Sequence, residues 1–71
     1  MIVSMRKDPK AVVKEIVNKI GKPRAEKLLI AHEISPSTAG KLVRGKYKSV
    51  IGVFVAAAIE KTLEAAKVLA A

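Results

Sequence analysis

The sequence predicts an all-α domain, and three observations carry that prediction. Each of its three prolines stands where a helix can begin, and two of its four glycines stand where a helix must end. Between these marks, apolar residues recur at i, i+3, i+4 and i+7, the spacing of one helix face. No segment reads as a strand except residues 1–5 (MIVSM), which suit either a short strand or a loose arm.

The first helix, roughly residues 9–20, opens at Asp8-Pro9. Asp is a good N-cap, and proline at the first helical position lacks only an N–H that would have no partner. Val12, Val13, Ile16, Val17 and Ile20 form its apolar face, with Lys10, Lys14, Asn18 and Lys19 elsewhere, and Gly21 suits its end. A second helix, roughly 23–32, opens at Pro23 and carries Ala25, Leu28, Leu29 and His32 on one face. A third, roughly 36–44, opens at Ser35-Pro36 and stops at Gly45. Its Ala39, Leu42 and Val43 point inward, while Ser37, Gly40, Lys41 and Arg44 share another face. Ser49 is expected to cap a long fourth helix from about Val50 to the end, with Gly52 its weak point.

That fourth helix begins apolar all the way round, from Val50 to Ile59, and such a helix must be covered on every side. Three helices of about ten residues hardly suffice, so a second chain is the expected lid. Val50, Val53, Phe54, Ala57 and Ala58 are the candidate dimer seam; the other reading of the stretch is monomer core. Farther on, Glu60, Lys61, Glu64 and Lys67 give a solvated face opposite Leu63, Ala66, Val68 and Leu69.

Seventy-one residues hold a single domain that buries only about 60% of its unfolded surface. With no cysteine and one histidine, His32, neither a disulfide nor a metal or cofactor site is expected. Fourteen Lys+Arg against six Asp+Glu leave a net charge of +8 and a pI near 10.1, which points to a polyanion. A hydrophobic share of 51% excludes a disordered basic tail, and 3% aromatics argue against a stacking platform for single strands. The uncharged run at residues 49–59 is too short and alanine-rich to span a bilayer, no signal peptide is visible, and a cytoplasmic protein is expected. No Ser/His/acid set and no glycine-rich phosphate loop is present, and the Glu60/Glu64 pair lies on a salt-bridged face, so the chain is expected to bind rather than catalyse. Charge is also uneven. Residues 34–59 hold Lys41, Arg44, Lys46 and Lys48 and no acid, with Arg6, Lys7, Lys22, Arg24 and Lys27 upstream. A short helix, a tight turn and a basic second helix is the arrangement that presents a helix to the major groove of double-stranded DNA.

Residues 34–49, Ile-Ser-Pro-Ser-Thr-Ala-Gly-Lys-Leu-Val-Arg-Gly-Lys-Tyr-Lys-Ser, resemble the turn and recognition helix of helix-turn-helix proteins, above all the lambda-repressor/Cro-like group of phage and plasmid regulators. The likeness extends more loosely over residues 23–33. It implies a compact four- to five-helix domain with a central helix-turn-helix, the family's fifth helix being fused into, or replaced by, the long C-terminal one. It also implies a sequence-specific transcriptional regulator, a repressor that binds a pseudo-palindromic DNA operator as a homodimer and sits on the nucleoid when bound. On that likeness Ser37, Lys41 and Arg44 reach base edges, and Gly40 lets the backbone come close. Arg24, Lys27, Ser35, Thr38, Lys46, Tyr47 and Lys48 meet the DNA backbone. Ser35 reads first as a helix cap, Tyr47 equally as a core anchor, His32 as a helix-end residue, and Arg6 and Lys7 as an arm. Three departures leave the register of the turn open. Glu33 stands where the family has glycine, Leu29 (or, with a shorter turn, Ala31) where it has alanine, and Lys22, Pro23 and Arg24 where it has glutamine. Two other classes fit the composition: a non-specific nucleic-acid binder, and a helical adaptor or inhibitor docking a protein through residues 50–59.

Overall fold

The computed structural model describes residues 8–70; the expectations for residues 1–5, Arg6 and Lys7 lie outside them. Four helices occupy the described residues: α1 (Pro9–Ile20), α2 (Lys22–Ala31), α3 (Pro36–Arg44) and α4 (Val53–Ala70). Among these residues there is no strand, and no helix is long and apolar enough to cross a membrane.

Asp8 caps α1, its carboxylate accepting from the Lys10 N–H at 3.3 Å. Gly21 then does two things at once. Its N–H donates to the Val17 carbonyl at 2.7 Å and closes α1, while its carbonyl accepts from the Ala25 N–H at 2.9 Å and opens α2. Its φ of 85° and ψ of 161° lie in a region that essentially only glycine visits. With no residue spent on a connection, α2 begins at Lys22, one position before the expected start, and ends one before His32.

The ends of α2 and α3 use the same device. After α2, the Glu33 N–H donates to the Ile30 carbonyl at 3.0 Å and the Ile34 N–H to the Leu29 carbonyl at 3.2 Å. After α3, the Gly45 N–H donates to Leu42 at 3.1 Å and the Lys46 N–H to Lys41 at 2.8 Å. Both are Schellman motifs, in which a left-handed residue satisfies carbonyls that the helix leaves bare. Gly45 takes the left-handed position with φ of 73°, and Glu33 takes it with φ of 71°.

The fourth helix differs from expectation. It starts at Val53, not Val50, and Ser49 does not cap it. The Gly52 carbonyl accepts the first helical bond, from the Ala56 N–H at 2.9 Å, so the glycine lies at the helix start and not within it. Extending α4 backward would put Gly52 in a helix interior, at about 1 kcal/mol relative to alanine, behind two β-branched residues. Instead Ile51 packs against the core and Val50 is left 93% exposed.

The core joins Val12, Val13 and Ile16 of α1, Ala25 and Leu29 of α2, Ile34 of the turn, Ala39, Leu42 and Val43 of α3, and Ile59 and Ala66 of α4. α4 lies mainly along α1, and α3 mainly against α2. One core residue is polar: Thr62 is fully buried, and its hydroxyl donates to the Ala58 carbonyl at 2.7 Å, leaving no bare polar atom. Ile59, Thr62 and Ala66 form one stripe at spacings of three and four, which puts Val68 on the far side of the helix from Ile59. Val68, expected to face inward, is therefore exposed, and so is Leu69, which follows the final buried position, Ala66.

Candidate nucleic-acid interface

α3 is a nine-residue rod about 13 Å long with two chemically distinct sides. Ala39, Leu42 and Val43 are buried, while Ser37, Lys41 and Arg44, four and three residues apart, are exposed together on one face. Both ends are fixed. Ser35 Oγ accepts from the Thr38 N–H at 3.3 Å and donates to Thr38 Oγ1 at 3.0 Å. The Gly45 motif stops the other end. Ser35 is thus a cap, and Thr38 is half-buried beside it.

Gly40 lies on the same side but is covered. A Cβ built on it would stand 3.1 Å from Arg44 Nη1 and 3.3 Å from Nη2, so the arginine folds back one turn and occupies the room that glycine leaves. The Arg44 guanidinium therefore lies over the backbone at Gly40. Arg24 and Lys27 are exposed on α2, and Lys46 and Lys48 are exposed in the segment between α3 and α4. Tyr47 between those lysines is half-buried and packs on the core, in keeping with the anchor reading of its ring.

In the turn Glu33 holds the left-handed backbone, Leu29 four residues earlier is fully buried, and Ala31 is exposed. His32 closes the end of α2 with its ring, Nδ1 lying 2.9 Å from the Leu28 carbonyl.

One group of residues on α1 was not anticipated as part of a site. Lys10, Lys14 and Asn18 on α1 line one side of an open trough together with Lys22, already counted in the basic patch, at the start of α2. Arg44 and Tyr47 line its other side, Val13, Val17, Leu42 and Val43 its walls, and Asp8 is its single acid. The signal was present as the four-residue spacing of Lys10, Lys14 and Asn18, which sets side chains about 6 Å apart along the axis of α1, with Lys22 following from the start of α2. The dimer candidates also divide. Val53, Phe54 and Ala57 are exposed on α4 with Val50 just before it, whereas Ala58 is half-buried under the core. Lys67 Nζ meets Glu64 Oε2 at 3.4 Å on the exposed side of α4, a surface pair of small net value.

Comparison of the chain with protein-family models, with curated proteins and with solved structures finds no match in any of the three.

Proposed function

We propose that this chain is a sequence-specific double-stranded-DNA-binding regulator of the lambda-repressor/Cro-like helix-turn-helix kind, acting as a homodimer on a pseudo-palindromic operator. The observation that carries the reading is the face of α3: Ser37, Lys41 and Arg44 exposed in a row on a helix rigidly capped at both ends, with no acid between residues 34 and 59. Arg and Lys donate to guanine O6 and N7, and a serine hydroxyl bonds base or phosphate. Arg24, Lys27, Lys46 and Lys48 flank that face and suit the phosphates on either side. Bound to an operator that overlaps a promoter, it would act by occlusion, that is, as a repressor.

Selection from a random duplex pool at near-physiological salt tests the reading. A pseudo-palindrome with half-sites about one helical turn apart is expected. Lys41→Ala or Arg44→Ala should then cost about 1–3 kcal/mol on that sequence and much less on others. Tight binding that is steeply salt-dependent yet enriches no sequence would overturn specificity and leave a non-specific nucleic-acid binder.

A further inference from the structure

The only phenylalanine of the chain, Phe54, is 91% exposed, on the first turn of α4, and Val53 before it is 82% exposed. Next to this projection the same surface has a recess. One wall is the α2–α3 turn, with His32, Glu33 and Ile34; the other is α4, with Ala57, Ala58 and, at its far end, Lys61. Glu33 and Lys61 stand on opposite walls and are not paired with each other.

We infer that this patch is a self-complementary seam, and that its occupant is a second copy of the chain related by a two-fold axis. This rests on the reading of the protein as a dimeric regulator and says which surfaces meet. A knob beside its own hole is what a two-fold interface requires, because the rotation that puts Phe54 into the partner's recess puts the partner's Phe54 into this one. The rotation also brings Glu33 of each copy to the other's Lys61, so both pairs form together. Charge selects this face over the others. A body of net charge +8 repels its own copy across the lysine-rich sides of α1, α2 and α3, whereas residues 49–59 carry no charge and the recess holds one Glu33 against one Lys61. Two buried phenylalanines bring about 300–500 Å². Val53, Ala57 and the recess walls carry the rest toward the roughly 1,000 Å² of a specific interface. Each Phe54 then lies against the turn that aims the other copy's α3, so assembly steadies the DNA-reading helix.

Sedimentation equilibrium without DNA tests the seam separately from any operator. Wild type is expected to dimerise. Phe54→Ala should weaken dimerisation at least ~tenfold, as loss of a central aromatic anchor does, with an unchanged helical CD spectrum because the side chain is already exposed in the monomer. Glu33→Lys and Lys61→Glu should each weaken it several-fold, and the double swap should recover wild-type affinity to within about threefold. A monomer at every concentration overturns the inference and favours docking of a different protein. So does a dimer indifferent to Phe54→Ala, or a double swap no better than its singles. None of these results depends on whether a DNA sequence is ever selected.

Discussion

Glu33 offers the sharpest test of the backbone reasoning, because the chain contains its own control. Two Schellman motifs end α2 and α3 with nearly equal left-handed angles, one at glycine and one at glutamate. A side chain in that region costs about 1–2 kcal/mol from contact between Cβ and the following carbonyl. Replacing it with glycine removes that cost but adds about 0.5–1 kcal/mol of freedom to the unfolded chain. Glu33→Gly should therefore stabilise by about 0.5–1 kcal/mol. For 71 residues the unfolding entropy is about 150 cal/mol/K, so the melting temperature should rise by about 3–7 °C. Since the substitution also removes a charge from the proposed dimer seam, the proper reference is Glu33→Gln, which loses the charge and keeps the strain. Thermal unfolding followed by CD at equal protein concentration should rank Gly above Asn above Gln, asparagine being the side chain most tolerant of this backbone. Glu33→Gly melting no higher than Glu33→Gln, with Gly45→Ala costing nothing, would refute the assignment of strain to the turn.

Other consequences are open to measurement. Leu29→Ala, at a fully buried position between α2 and the turn, should cost roughly 2–5 kcal/mol and leave the domain largely unfolded at 37 °C by CD. Ser35→Ala should cost about 1 kcal/mol through loss of the α3 cap, read from denaturant midpoints. Gly40→Ala should gain up to about 1 kcal/mol of helix stability, because the nearest atoms are the movable end of Arg44. If the backbone there approaches DNA, the same variant binds operator less well despite its higher melting point. Lys10→Gln with Lys14→Gln should lower the salt dependence of DNA binding by about 0.9 for each phosphate released, if the trough follows a strand. An unchanged slope removes α1 from the interface.

Much of this architecture was legible in the sequence because the chain marks its boundaries with residues of narrow conformational use. Asp8-Pro9, Gly21, Ser35-Pro36 and Gly45 each sit at a helix end, and the caps at Asp8 and Ser35 are made by their side chains as their chemistry requires. Gly52 was harder to read. A glycine near the start of an apolar run is the same letter whether it weakens a helix or begins one, and only the tertiary fit of Ile51 decides. Thr62 was hidden for a related reason: hydropathy places a hydroxyl outside, while the helix beneath it offers a carbonyl that makes burial acceptable. In the candidate site, the α3 face was visible as a spacing. The roof that Arg44 makes over Gly40 was not, because it depends on a rotamer. The α1 lysines were visible as a spacing but not as one side of a trough, since their neighbour across it comes from a helix more than twenty residues away.

Gly21 sets a different kind of constraint. A single residue ends one helix and starts the next, so the chain has no slack at this junction in which to absorb a length change. Adding or deleting one residue in α1 near its end would turn the upstream helix by about 100° relative to everything after it. Val12, Val13 and Ile16 would then leave the core together. The eight residues between Arg44 and Val53 have no such rigidity, being mostly exposed and unbound to a helical phase. Natural variation in length should thus gather between α3 and α4 and be nearly forbidden between α1 and α2, a pattern that insertion scanning would read directly.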